Sequence, residues 1–158
     1  IVIVDEAYSD FSAQKPRRCD ISKYPNLIVL ATFSKAWGAA GIRLGMAFAS
    51  TEIIGLFNKV KYPYNVNVLT QKKAQEILGN VTLLQRHISM ILEERETLVK
   101  AMALLPVCKK VYETDANFIL ARMTDANGIY KYLALYSCYC SGADDNWIVY
   151  CVAFEQSN

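Results

Sequence analysis

Three short runs near the start of the chain are apolar at almost every position instead of every second one: Ile1–Val4, Leu27–Thr32 and Leu44–Ala49. A strand with one wet face alternates apolar and polar residues, whereas a strand covered on both faces does not need to. The runs are short, rich in Val and Ile, and the second is introduced by the turn pair Pro25-Asn26. They read as strands of an α/β sheet rather than as pieces of helix. A buried central strand needs neighbours on both sides, and Ile1–Val4 stands at the first residue of the sequence. The expectation is that an N-terminal part precedes it in the complete protein.

Helical spacing takes over after the third run. Ser50 or Thr51 caps a helix over Glu52–Val60, with apolar residues at Ile53, Ile54, Leu56 and Phe57. Pro63 interrupts the segment Lys61-Tyr62-Pro63-Tyr64-Asn65-Val66-Asn67, and a helix from about Thr70 to Leu78 closes at Gly79-Asn80. The longest periodic stretch, Val81 to Leu105, carries Leu84, Ile88, Ile91, Leu92, Leu98 and Met102 on one face and ends at Pro106. Strands near Val107–Tyr112 and Asn117–Arg122 and a short helix over Ala126–Leu133 follow. The organisation expected is a larger domain over residues 1–80, an interdomain helix over 81–105 and part of a small α+β domain over 106–158. From about Ala134 the composition shifts. This tail holds three of the five cysteines and no Lys or Arg, as though the reading frame had changed. Trp147–Phe154 reads as a strand in it, after a loop-like Ser141–Asn146.

Composition removes several classes of function. At 158 residues, 53% apolar and 20% charged, the chain is long enough for a core and too apolar for disorder. Seventeen basic against fifteen acidic residues leave a net charge of +2 with no basic stripe, so no nucleic-acid partner is expected. The closest approach to a basic patch, Lys15-Pro16-Arg17-Arg18, reads as a solvated loop. No apolar run has the length of a membrane span. Five cysteines without regular spacing do not make a disulfide framework, and Cys138-Tyr139-Cys140 is too tight for a zinc knuckle, with the single histidine, His87, far off. Neither a metal nor a membrane is expected, and reduced cysteines point to the cytoplasm.

Chemistry gathers at the ends of the first two runs. Lys35 follows the second, before the small residues Ala36, Gly38, Ala39, Ala40 and Gly41. A lysine amine aimed at a carbonyl can hold it covalently, and small residues let a ligand approach the backbone. A plain surface lysine at a strand end is the common reading of Ser34-Lys35 taken alone. Arg43, eight positions on, is a cation suited to a phosphate ester, with Thr32 and Ser34 adding hydroxyls; the plainer reading is an arginine reaching for solvent. Asp5 lies beyond the carboxyl end of the first run, where parallel sheets bind ligands, and can pair with a protonated ring nitrogen. Tyr8, three residues on, can approach the same ring. The plainer readings are a capping aspartate and a half-buried aromatic. Glu6 and Asp10 read as structural or solvated, and Trp37 as packing beneath the loop. Tyr62 and Tyr64 fit either a site mouth or a dimer contact.

This constellation resembles the fold-type I pyridoxal-phosphate-dependent aminotransferases, in which Asp-x-x-Tyr follows one strand and Ser/Thr-x-Ser-Lys, with an arginine eight residues later, follows another. The likeness is greatest to the histidinol-phosphate aminotransferases. It is carried by Val4-Asp5-Glu6-Ala7-Tyr8, Tyr24–Leu30, Lys61–Asn67 and Asp115-Ala116-Asn117-Phe118-Ile119-Leu120, and runs from Ile1 to about Leu133. It implies part of a large domain with a mostly parallel sheet and helices, followed by part of a small α+β domain. It further implies pyridoxal 5'-phosphate as cofactor, attached at Lys35, with Asp5 at the ring nitrogen, Tyr8 at the phenolic oxygen, and Thr32 or Ser34 with Arg43 on the phosphate. Catalysis would rest on Lys35, Asp5 and Tyr8, and cofactor binding on Asp5, Tyr8, Thr32, Ser34, Lys35 and Arg43.

The substrates implied are small amino and keto compounds. Histidinol phosphate and imidazole acetol phosphate would exchange an amino group with glutamate and 2-oxoglutarate, in a cytoplasmic homodimer of the full-length protein. A sister enzyme on the same fold, such as a threonine-phosphate decarboxylase, and a non-catalytic fragment are the alternatives. Two departures from the family pattern stand out. Its N-terminal half is not in this sequence, and nothing after Lys131 can supply the arginine that binds the substrate carboxylate. The 158-residue chain by itself is therefore expected to be inactive.

Overall fold

The computed structural model describes residues 1–135 in full and residues 140–141 and 147–151 as backbone. The chain forms two compact units, one spanning Ile1–Arg86 and the other beginning at His87.

The first unit is built on a three-stranded sheet of β1 (Val2–Asp5), β2 (Leu27–Thr32) and β3 (Gly45–Ala49), in that order across the sheet. All three apolar runs are strands. β1 runs parallel to β2, with Val2 opposite Leu27 and Asp5 opposite Leu30. β3 is antiparallel to β2, with Thr32 opposite Gly45. Apolarity does not give that direction. The segment between Thr32 and Gly45 holds only the 3-10 turn Ala40–Ile42, whereas a parallel return usually runs through an α-helix packed on the sheet.

The core of this unit forms on β2, where Leu27, Ile28 and Val29 are buried, and under Phe11 from the 3-10 turn Ser9–Phe11. β1 departs from the expectation of two covered faces. It is an edge strand of the described sheet, and Ile1, Val2 and Ile3 are exposed.

Helix α1 (Thr51–Val60) begins after Ser50, whose side chain accepts from the Ile53 amide at 3.4 Å, so Ser50 rather than Thr51 is the cap. Helix α2 (Val68–Leu78) begins two residues before the expected Thr70. Asn67 caps it, its Oδ1 accepting from the Thr70 amide at 2.9 Å. Helix α3 (Val81–Ala103) crosses from the first unit into the second. It ends short of Leu105 because the Leu104 and Leu105 amides turn to Ala101 and Met102, three residues back, just before Pro106.

The second unit carries a four-stranded antiparallel sheet in the order β4 (Cys108–Val111), β5 (Phe118–Met123), β7 (Trp147–Cys151) and β6 (Cys140–Ser141). Helix α4 (Ala126–Leu135) follows β5. On β5, Ile119, Ala121 and Met123 are buried at alternate positions, the period of a strand with one covered face. Arg95 of α3 donates to the Ala116 carbonyl at 2.8 Å, fixing the approach to β5. The strand expected over Trp147–Phe154 exists at Trp147–Cys151, paired with β5 from Arg122 opposite Trp147 to Phe118 opposite Cys151. Ser141, expected at the start of a loop, instead ends β6, paired with Val149; residues 152–154 of the expected strand, 142–146 of the expected loop, and Cys138 lie outside the described residues.

Val29 and Leu30 are neighbours with opposite fates, Val29 fully buried and Leu30 37% exposed. Val29→Ala is expected to destabilise the chain by about 2–3 kcal/mol, from the lost methyls and the cavity left behind. Leu30→Ala should cost about 1 kcal/mol or less. Urea unfolding of the two variants checks this, and equal losses would contradict the difference in burial between the two positions.

Candidate active site

Parallel pairing makes β1 and β2 leave the sheet at the same end. The Glu6 amide donates to the Leu30 carbonyl at 2.7 Å, extending the pairing one step beyond β1. The chain then turns. Asp5 is exposed, and its Oδ1 accepts from the Ala7 amide at 2.9 Å, leaving Oδ2 for a ligand. Asp5 thus combines the plainer local role with an open carboxylate oxygen. Tyr8 lies at the head of the 3-10 turn anchored by buried Phe11, and the Lys35 Nζ stands 5.0 Å from the centre of its ring. Aromatic faces attract ammonium groups at this range. Among the described residues no carboxylate forms an ion pair with Lys35.

The lysine loop is shaped by its own polar groups. The Thr32 hydroxyl accepts from the Ser34 amide at 3.0 Å and donates to the Leu44 carbonyl at 3.4 Å. Thr32 is therefore committed to the loop backbone, and Ser34 presents the freer hydroxyl. The Gly38 amide donates to the Lys35 carbonyl and the Ala39 amide to that of Phe33, both at 2.9 Å. Gly38 has φ +62°, where a Cβ is strained although open space surrounds it. Buried Phe33 meets the Trp37 ring at 5.4 Å between centroids, so Trp37 packs against the loop as expected.

Arg43 closes the segment in the left-handed region, φ 53° and ψ 47°. That conformation costs a residue with a Cβ about 1–2 kcal/mol. Its guanidinium donates to the Ala40 carbonyl at 2.8 Å through one nitrogen and is otherwise exposed.

Two supports lie outside the residues expected to do the chemistry. Glu6 is buried, accepting from the Arg17 amide and, at 3.4 Å, from the Arg18 guanidinium. Arg18 also reaches Ser9 Oγ at 3.3 Å and Asp10 at 3.4 Å. Glu6 and Asp10 are thus structural. The basic stretch Lys15–Arg18 is a solvated loop only in part, because Arg18 points inward. The second support is Thr70, buried at the start of α2, whose hydroxyl donates to the Ile42 carbonyl at 3.1 Å. A signal for it was present: Asn67 directly precedes the apolar pair Val68-Leu69, which marks a cap.

The donor set fits pyridoxal phosphate in kind. An amine without a carboxylate partner suits a carbonyl, Asp5 Oδ2 suits a ring N–H, and Ser34 with Arg43 suits a phosphate ester. No group of three or more metal-ligating side chains occurs among the described residues. None of the described helices is long and apolar enough to cross a membrane.

Fold and site together define an α/β domain that gathers an amine, a carboxylate and a guanidinium beyond the ends of its strands. The family model for aminotransferase class I and II matches residues 1–153, and the chain belongs to that family. It is 54% identical over 131 residues to a protein of Parabacteroides distasonis named histidinol-phosphate aminotransferase, covering 83% of this chain and 38% of that protein. The chain thus spans about two-fifths of the length of such relatives. The fold is shared with the crystal structure of the histidinol-phosphate aminotransferase from Clostridium acetobutylicum, at TM-score 0.86 and 22% identity, over 98% of this chain and 49% of that one. It is shared also with that of the Sinorhizobium meliloti enzyme in complex with pyridoxal-5'-phosphate, at TM-score 0.83 and 19% identity, over 98% and 45%.

Glu6 supports the turn that carries Tyr8. Glu6→Ala removes the acceptor for two donors and should cost about 1–3 kcal/mol, while Glu6→Gln, which keeps one oxygen, should cost less. Urea unfolding checks the order; Gln as costly as Ala would show that charge, not the hydrogen bond to Arg17, dominates.

Proposed function

We propose that this chain carries the lysine-bearing part of a pyridoxal-phosphate-dependent enzyme that transaminates histidinol phosphate. The observation that carries the chemistry is the meeting of Lys35 and Tyr8 across two strand ends, beside an open oxygen of Asp5. The substrate class is suggested by the name of the 54% identical relative.

Bound, the cofactor would supply an electrophilic carbonyl and an electron-withdrawing ring. Lys35 would hold the cofactor covalently between turnovers and, once freed by the amino donor, its amine would move the proton between the substrate Cα and the cofactor C4′. Asp5 pairs with the ring nitrogen and favours its protonated form. Tyr8 flanks Lys35 and takes the phenolic edge. Ser34 and Arg43 take the phosphate, with Thr32 shaping the loop between them. Glutamate and 2-oxoglutarate are the amino donor and its product, and imidazole acetol phosphate is the acceptor. The same reading assigns a homodimer in the cytoplasm.

Activity is testable in a chimera in which the matched 131 residues of this chain replace their counterparts in the Parabacteroides distasonis relative. The chimera is expected to transaminate histidinol phosphate with 2-oxoglutarate. A folded, cofactor-loaded chimera with no turnover on this pair would overturn the substrate assignment. Borohydride reduction and peptide mapping of the same protein should place the label on Lys35; label on Lys23, Lys59 or Lys61 instead would sink the lysine assignment.

Asp5 and Arg43 should separate by role. Asp5→Ala is expected to lower turnover by about a hundredfold or more with little loss of cofactor occupancy. Arg43→Ala should weaken cofactor binding by about ten- to a hundredfold before it affects turnover of the saturated enzyme. Cofactor titrations and saturating kinetics on both variants distinguish the two, and parallel effects would contradict the division.

A further inference from the structure

We infer that Thr70 is a positioning residue that holds Arg43 in its left-handed conformation and so aims its guanidinium at a phosphate. The inference rests on the reading of Arg43 as the phosphate cation and extends it to a residue on another element.

Arg43 is bracketed on both sides. The peptide before it is fixed at its oxygen, because the Ile42 carbonyl accepts from Thr70 Oγ1 at 3.1 Å. The same peptide is fixed at its nitrogen, where the Arg43 amide donates to the Ala40 carbonyl at 3.3 Å. On the other side, one peptide further along, the Leu44 carbonyl accepts from the Phe33 amide at 3.2 Å and from the Thr32 hydroxyl at 3.4 Å. Strained backbone of this kind persists only where its surroundings over-determine it. Three of these four bonds come from the lysine segment itself; the Thr70 bond alone comes from a distant element, 28 residues along the chain.

The hydroxyl is itself held in place. Asn67 Nδ2 donates to Thr70 Oγ1 at 3.0 Å while Asn67 Oδ1 accepts from the Thr70 amide at 2.9 Å. This orients the Thr70 proton toward Ile42 and caps α2 in the same stroke. Thr70 is 9% exposed, so water competes poorly for either bond. The irregular segment Lys61–Asn67 thereby acquires a role: it delivers Asn67, and through it Thr70, to the turn that ends in Arg43.

Thr70→Val keeps the shape and removes the hydroxyl. In the full-length chimera, Thr70→Val is expected to weaken binding of pyridoxal 5'-phosphate by about tenfold and that of pyridoxal, which has no phosphate, less than about twofold. Thr70→Ser should restore phosphate-selective binding. In an Arg43→Ala background, Thr70→Val should cause no further loss, since the residue it positions is gone. Independently of any cofactor, hydrogen exchange at the Arg43 amide of the 158-residue chain should quicken in Thr70→Val and return toward the original rate in Thr70→Ser. Thr70→Ala carries the same tests if the valine variant does not fold.

Equal loss for both ligands, additive loss with Arg43→Ala, or unchanged exchange at Arg43 overturns the positioning role. If Arg43→Ala itself fails to discriminate pyridoxal phosphate from pyridoxal, the phosphate assignment of Arg43 falls. If it discriminates and Thr70→Val does not, this inference alone falls.

Discussion

Everything at the candidate site depends on one backbone arrangement, the parallel pairing of β1 with β2. It is bounded by the Val2 amide on the Asn26 carbonyl at 2.9 Å and the Glu6 amide on the Leu30 carbonyl at 2.7 Å. Two strands running the same way end at the same edge of the sheet, so residues that follow them meet without being near in sequence. A slip of one residue would shift Tyr8 along the strand axis by roughly 3.3 Å and turn the faces of β1 over. The 5.0 Å approach of Lys35 to the Tyr8 ring is therefore a consequence of register before it is a property of either side chain.

The loops beyond the strands are irregular, and hydrogen bonds replace the ladder there. Asp5, Thr32 and Asn67 each accept from a backbone amide two or three residues ahead, setting a local turn. Glu6 and Thr70 work over longer distances, tying the Tyr8 turn to Arg18 and the Arg43 turn to α2. Among the described residues no buried side-chain nitrogen or oxygen lacks a partner. That matters because an unpaired buried polar atom costs about 1–3 kcal/mol, enough to loosen a loop that must hold a lysine or an arginine in place.

Local patterns carried much of this. Continuous apolarity gave β2 with both its ends, since a short run rich in β-branched residues and introduced by a turn favours a strand over a helix. The helical period located α1, α2 and α3, and the residues for the candidate site could be named because their types and spacing are set by the chemistry they would do. What failed locally failed for identifiable reasons. α2 begins before Thr70 because Asn67 caps it, accepting from the Thr70 amide. The inward turn of Arg18 has no local signal, because only the folded chain places it against buried Glu6.

The sequence by itself determined which stretches become strands and helices, and which amine, carboxylate, hydroxyls and guanidinium were candidates, because periodicity and functional-group chemistry are local properties. Only the tertiary structure decided that β3 returns antiparallel, that Thr32 bonds the backbone while Ser34 keeps the freer hydroxyl, and that Thr70 reaches the peptide before Arg43. Each of those depends on which distant groups become neighbours. That is fixed by strand register and the pairing of buried polar groups, and no window of adjacent residues contains it.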